Sequence, residues 1–174
     1  MNLQHSALII IDVQKGFINE NTKHIPGKIT DLIEKVKFEH IIQTRFINKP
    51  DSPYVNILNW TGLLTREEIS FPNGLKLNNS LIIDKYYYSA CTKEFLDYIA
   101  KKKIKQFFLV GINTDICVLK TAVDLFELNY RSYVLTEYCG STSGQKSHEA
   151  GLFILRRFIG DKQIITNSEK YFNI

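Results

Sequence analysis

Two unbroken apolar runs, Leu8-Ile9-Ile10-Ile11 and Phe107-Phe108-Leu109-Val110, most constrain what this chain can fold into. A strand with one face in water alternates apolar and polar residues, whereas a strand apolar at every position is covered on both faces, as central strands of a parallel sheet are. Strand-type runs recur over Ala7 to Ile11, His40 to Thr44, Leu81 to Ile83, Phe107 to Val110, Ser132 to Thr136 and Gln163 to Thr166. Between them lie segments of helical period: Ile29, Leu32, Ile33 and Val36; Phe95, Leu96 and Ile99; Val118, Ala122, Leu125 and Phe126; Leu152, Leu155 and Phe158. This alternation predicts an α/β fold, a three-layer α/β/α sandwich around a parallel sheet. With 174 residues the chain can bury roughly 70% of its unfolded surface, and residues 1–174 are read as one domain. One stretch breaks the alternation: Asn48 to Asn79 carries Pro50, Pro53, Pro72, Gly62 and Gly74, which predicts a long connection with at most one short helix. Long loops in compact domains are often functional.

Charge narrows the partners. The net charge of +4 is spread along the chain, and its one run, Lys101 to Lys103, closes a helix-like segment where cations suit the dipole. No basic stripe with interleaved aromatics argues for nucleic acid. No apolar run approaches the roughly 20 residues that span a bilayer, and the first residues lack a basic leader pattern. The three cysteines, Cys91, Cys117 and Cys139, are odd in number and form no C-x-x-C, which argues against a disulfide framework and a structural zinc site. The expectation is a soluble cytoplasmic protein acting on a small molecule. No Gly-x-Gly-x-x-Gly or P-loop pattern occurs, so no organic cofactor is expected.

In open parallel sheets, ligands bind beyond the carboxyl ends of the strands. Asp12 ends the first apolar run, Lys85 follows the third, and Cys117 stands just after the fourth, within Gly111-Ile112-Asn113-Thr114-Asp115-Ile116-Cys117-Val118. Thr114 reads as a helix N-cap, which places Cys117 in the first turn, where the helix dipole lowers a thiol pKa from about 8.5. A carboxylate, an ammonium and a thiol at one edge make a coherent set: Asp12 as base, Lys85 as electrostatic support, Cys117 as nucleophile. Taken singly, each has a plainer explanation: a capping aspartate, a solvated lysine, a small buried cysteine.

The motifs around these residues resemble the isochorismatase-like cysteine hydrolases, a family that includes nicotinamidases and N-carbamoylsarcosine amidase. Asp12-Val13-Gln14-Lys15-Gly16-Phe17 is similar to the family's Asp-x-Gln-x-x-Phe. Lys85-Tyr86-Tyr87-Tyr88-Ser89-Ala90 is similar to its lysine segment, with Cys91 where phenylalanine is common. Residues 111–118 resemble its nucleophile loop, and Thr121-Ala122-Val123-Asp124-Leu125-Phe126 the helix that follows. The resemblance implies a six-stranded parallel sheet, a catalytic triad of Asp12, Lys85 and Cys117, and a non-proline cis peptide between Ile112 and Asn113. That peptide is implied to turn backbone N–H groups, including those of Asn113 and Cys117, toward a developing oxyanion, which makes Ile112 and Asn113, with Phe17, expected substrate-binding residues. It also implies a homodimer or homotetramer.

The chain departs from the nicotinamidases. Their metal site uses an Asp-x-His pair after the second strand, where this chain has Thr44-Arg45-Phe46, and His5, His24, His40 and His148 show no ligand spacing. No metal is expected, and nicotinamide is disfavoured. Arg45 is a candidate clamp for a substrate carboxylate, with a surface arginine as the alternative. Phe17, Trp60 and Tyr86 to Tyr88 are candidates for an apolar pocket wall, while Cys91 and Cys139 read as inert. The expected function is hydrolysis of a small amide, carbamoyl or ester substrate through a thioester. The alternatives are vinyl ether cleavage of the isochorismatase type, against which Cys117 argues, a catalytically silent binding module, and a redox thiol.

Overall fold

The computed structural model describes residues 3–174. Six strands, β1 (Ser6–Ile11), β2 (His40–Phe46), β3 (Leu81–Lys85), β4 (Gln106–Ile112), β5 (Arg131–Gly140) and β6 (Ile164–Ile165), form one sheet in the order β3-β2-β1-β4-β5-β6. Every pairing is parallel. The sandwich expected from the alternation is therefore present, and all six strand runs fall inside or overlap observed strands.

Helices cover both faces, which is why β1 and β4 are apolar throughout. Ala7, Ile9, Ile11, Phe107 and Leu109 pack with α3 (Lys93–Lys102), α4 (Leu119–Glu127) and α5 (Gln145–Ile159) through Phe95, Ile99, Ala122, Leu125, Leu152 and Leu155. Leu8, Ile10, Phe108 and Val110 pack the other way, against Ile25, Ile29 and Leu32 of α1 (Ile25–Lys35) and Phe172 of α6 (Ser168–Phe172). The lysine run ends α3 as read, with Lys103 in the left-handed conformation at φ 56°. The 48–79 connection holds one four-residue helix, α2 (Pro53–Asn56), and a single 3-10 turn at Asn73–Leu75.

From β1 the chain winds outward to β2 and β3, then returns to the other side of β1 to lay down β4, so the order reverses between β1 and β4. The carboxyl ends of the two strands diverge there and leave a crevice. Their close approach needs Gly111, which pairs with Ile11, has φ 127°, and would place a Cβ 2.1 Å from the Ile11 carbonyl oxygen. The fifth strand runs four residues beyond its expected end. A register shift opposite Leu109 and Gly111 lets it continue to pair Cys139 with Gly111 and Gly140 with Ile112. Cys139 is therefore part of β5 and not, as its position after the apolar run suggested, beyond it.

Gly111→Ala is expected to cost roughly 3 kcal/mol or more, from a main-chain conformation closed to L residues together with a collision against backbone. Urea unfolding of the variant beside the parent protein measures it.

Candidate active site

Three strand ends bring their polar residues together as the sequence indicated. Asp12, just past β1, and Lys85, the last residue of β3, are both fully buried, and Lys85 Nζ lies 2.7 Å from Asp12 Oδ2. Two bare ions so far from water would each cost several kcal/mol, so their remaining capacity has to be met. Thr44 meets it on the acid side: its hydroxyl accepts from the Asp12 N–H at 3.1 Å and donates to Asp12 Oδ1 at 2.7 Å. On the basic side, Lys85 Nζ donates to the carbonyls of Tyr87 and Tyr88 at 2.9 and 3.0 Å. The third neighbour of the ammonium is Cys117 Sγ, at 3.7 Å. Thr44 was read only as the end of an apolar run, although the strand-end rule that found Asp12 and Lys85 applies to it equally.

Asp12 itself is left-handed, at φ 50°, with its carbonyl accepting from the Gln14 N–H at 2.8 Å. Gln14 is buried and fastens this turn: its side chain donates to the Phe46 and Ile69 carbonyls and accepts from the Phe46 N–H. The glutamine of the Asp-x-Gln-x-x-Phe motif thus ties β1 to the end of β2.

Cys117 arrives by a route that capping rules did not anticipate. Residues Thr114–Val118 form a wide π-type turn in which the Val118 N–H reaches back five residues to the Asn113 carbonyl, at 3.0 Å. Thr114 is not the N-cap. It is buried inside the turn, and its hydroxyl shares a 2.8 Å hydrogen bond with His148 Nδ1 of α5. Asp115 accepts from the Ser141 hydroxyl, and Asn113 Oδ1 accepts from the Thr142 N–H at 2.7 Å. The peptide between Ile112 and Asn113 is cis. Gly151 lets α5 lie against the turn, since a Cβ there would stand 2.7 Å from Asp115 Cα. The turn carrying Cys117 is therefore clamped by α5 and the segment joining it to β5.

A cavity of about 310 Å³ opens over Cys117. Phe17, Phe46, Tyr54, Leu58, Trp60, Tyr88 and Ile116 give it apolar walls, with Asn19, Asn113 and Thr142 among them as polar groups. Phe17 and Trp60 lie nearly parallel, 7° apart with centroids 6.0 Å apart. Tyr54, Leu58, Trp60 and Gly62 come from the 48–79 connection, where hydrophobic period offered no signal. Of the tyrosine cluster only Tyr88 faces the cavity; Tyr86 lies under the Lys49 ammonium and Tyr87 is exposed.

Two expected contacts to substrate are corrected. Arg45 does not reach the cavity, because its guanidinium is forked onto Asp84, with Nε to Oδ1 at 2.7 Å and Nη2 to Oδ2 at 2.8 Å. Arg45 and Asp84 are register partners on β2 and β3, and successive side chains on a strand face opposite ways, so both point away from Phe46 and Lys85. Ile112 is fully buried in the core and lines no part of the cavity, whereas Phe17 and Asn113 do line it.

At the end of β2, the Asn48 side chain donates to the Trp60 and Gly62 carbonyls, and Phe46 packs against Tyr54 and Trp60. An aromatic ring and a committed amide do not fit a metal. Among the described residues, no group of three His, Cys, Asp or Glu side chains could hold one.

The electrostatics of the thiol also differ from the first-turn expectation. Burial raises the Cys117 pKa first and the Asp12 carboxylate raises it further, while Lys85 pulls the other way and is outweighed. The balance of these effects favours the neutral thiol at rest. Burial works to lower the Lys85 pKa, but Asp12 and then Cys117 outweigh it and the group is held above its ordinary value, a firm ammonium. Burial pushes Cys91 up to about 11 and Cys139 up to about 12, so both are protonated, unreactive thiols near neutral pH.

The Isochorismatase domain family model matches residues 6–161. Isochorismatase family protein 1B from Dictyostelium discoideum is 27% identical over 159 residues, spanning 86% of this chain and 73% of that protein. The isochorismatase-like hydrolase from Alkaliphilus metalliredigens superposes with a TM-score of 0.84 at 20% identity, covering 97% of each chain. A pyrazinamidase/nicotinamidase from Streptococcus mutans does so with a TM-score of 0.78 at 22% identity, covering 92% of this chain and 99% of that one. At such identities the two structures share the fold.

Three outcomes are expected from this geometry. Lys85→Met strands the Asp12 carboxylate in the interior and should cost about 3–5 kcal/mol at neutral pH by urea unfolding, against about 1–3 kcal/mol for Thr44→Val. Alkylation of Cys117 by iodoacetamide, followed by peptide mass spectrometry, should still be accelerating at pH 9.5, where an ordinary thiol of pKa about 8.5 has nearly levelled. Finally, a thiol whose folded pKa is raised keeps its proton in the native state after the unfolded chain has lost it. Its contribution is thus complete below about pH 8.5 and is lost as pH rises toward the folded value. Stability should fall from about pH 9 upward, by up to about 1.4 kcal/mol per pH unit for each such thiol, and less steeply in Cys139→Ala.

Proposed function

We propose that this chain, which belongs to the isochorismatase domain family, is a cysteine-dependent hydrolase that cleaves a small amide, carbamoyl or ester substrate through a thioester. The observation that carries this is the placement of Cys117 alone at the cavity floor, with Asp12 and Lys85 directly behind it.

The chemistry follows from the charges. As the sulfur attacks the substrate carbonyl carbon, its proton passes to Asp12, and the carbonyl π electrons move onto oxygen. Proton transfer by itself turns the Asp12 carboxylate and Lys85 ammonium into a neutral acid and a thiolate beside the same ammonium, so no unpaired charge is created in the interior, and formation of the S–C bond then carries that one negative charge onto the carbonyl oxygen. Backbone N–H groups of the turn, including those of Asn113 and Cys117, receive the oxyanion. Collapse of the tetrahedral adduct breaks the bond to the leaving group, which takes the proton from Asp12. Water then gives a proton to Asp12 and adds to the thioester. The second collapse releases the acid and returns the proton to sulfur.

A thiol nucleophile has no part in vinyl ether cleavage by proton transfer, and a silent binding module has no use for a buried ion pair aimed at a thiol. The three free cysteines suit a reducing compartment, and the proposal places the enzyme in the cytoplasm as a single catalytic domain in a dimer or tetramer.

Ammonia release across small primary amides and carbamoyl compounds, after exhaustive removal of metal, tests the proposal. Activity should survive chelation and fall at least about 10³-fold in Cys117→Ala and Asp12→Asn. Turnover that persists in Cys117→Ala, or that requires an added divalent ion, overturns it.

A further inference from the structure

The cavity walls also decide what charge a substrate can carry. Among the thirteen residues lining the space above Cys117 there is no lysine, arginine, histidine, aspartate or glutamate. Four cations close in sequence to lining residues have partners of their own. Lys85 lies behind the thiol, spent on Asp12 and two carbonyls. Arg45 is forked onto Asp84. Lys15, next to the lining residue Gly16, is 3.8 Å from Glu67 at the surface, and Lys49 sits 4.2 Å above the Tyr86 ring. Behind the thiol, Asp12 and Lys85 pair their charges, so the ion pair presents no net positive charge to an anion. The hydrogen-bonding groups in the walls are neutral amides and hydroxyls. Burial raises the Tyr54 phenol to about 12, with the nearby Tyr88, Cys117 and Asp12 adding to the effect, so Tyr54 stays protonated and neutral.

Resting on the thiol-hydrolase proposal above, we infer that the substrate is uncharged: a small carboxamide, carbamoyl compound or ester whose acyl side is a compact apolar or flat aromatic group, with carboxylate-bearing analogues rejected. A volume of 310 Å³ is near the lower end of the roughly 300–1,000 Å³ usual for ligand pockets, which sets the scale of that group. The parallel rings of Phe17 and Trp60 offer it a flat wall. A carboxylate taken into these walls would lose its hydration and find no cation, a penalty that neutral amides and hydroxyls do not offset.

A matched pair of activated esters tests this. 4-Nitrophenyl butyrate and 4-nitrophenyl hemisuccinate both deliver a four-carbon acyl group, one neutral and one anionic. For each, kcat/KM is divided by its rate with a free small-molecule thiol, and the acyl-enzyme is located by mass spectrometry. The butyrate is expected to be favoured by about 100-fold or more, with the acyl group on Cys117. Leu58 lines the cavity yet is 59% exposed, so the fold tolerates a change there. Leu58→Arg should cut the preference at least about tenfold, and Leu58→Gln should leave it within about threefold. Equal or better use of the hemisuccinate while Cys117 is still acylated overturns the substrate inference and leaves the hydrolase proposal standing. So does a preference that Leu58→Arg does not move. Failure of both esters to acylate Cys117 overturns the hydrolase proposal itself.

Discussion

The buried ion pair between Asp12 and Lys85 is the constraint on which the site depends. Neither group reaches water, so each must be satisfied by protein. The partners that do so come from three parts of the chain: Thr44 near the end of β2, the Tyr87 and Tyr88 carbonyls after β3, and Cys117 after β4. A single unpaired ion in this interior would cost more than most of the surrounding contacts contribute. The strand ends are therefore locked in mutual position by an interaction that any shift of one of them would break. The geometry around Cys117 and structural integrity rest on the same atoms, which is why Lys85 is at once among the largest fully buried side chains and a direct neighbour of the Cys117 thiol.

Topology makes that convergence possible. The order of the sheet reverses between β1 and β4, so the residues that follow these strands flank a crevice that no crossover helix fills. Gly111 holds β4 against β1 at the point where the crevice opens, and Gly151 brings α5 onto the turn carrying Cys117. These two close approaches, one to backbone below the site and one beside it, fix the depth of the thiol. The 48–79 connection then needs no regular structure. It packs Tyr54, Trp60 and Leu63 onto the core, and the two rings, Tyr54 and Trp60, also line the cavity over Cys117.

The sheet and the meeting of Asp12, Lys85 and Cys117 were legible because both follow from one-dimensional rules: continuous apolar runs mark strands covered on two faces, and the polar residue after such a run stands at the carboxyl edge of the sheet. The rules fail where a side chain's direction or its partner decides. A one-residue step along β2 separates Phe46, which faces the cavity, from Arg45, which faces Asp84, and a strand boundary read two residues short at Thr44 hides that step. Thr114 has the chemistry of an N-cap, but the competing partner, His148, is 34 residues away, and no local pattern reports it. The walls from the 48–79 connection were illegible for a different reason: irregular backbone has no period, so only packing identifies which of its aromatics turn inward.

The protonation of Cys117 shows why position on a helix is a poor guide to reactivity once burial is complete. A dipole at a helix start contributes within its first turn and is strongest where water is excluded, yet the same exclusion penalises the thiolate and admits the Asp12 charge at close range. Here the second effect prevails, and the sulfur keeps its proton at rest. The thiol is in consequence a poor target for a stray electrophile or oxidant, whose chemistry needs thiolate. In the proposed reaction it becomes a nucleophile when its proton moves to Asp12, and that move exchanges one ammonium-centred ion pair for another without a change in the net charge of the interior. The barrier then depends chiefly on the developing oxyanion, the one charge that Lys85 does not already balance. The backbone N–H groups of the Thr114–Val118 turn are the nearest groups able to stabilise it, and a clamp from Ser141, Thr142 and His148 onto that turn is what such a role requires.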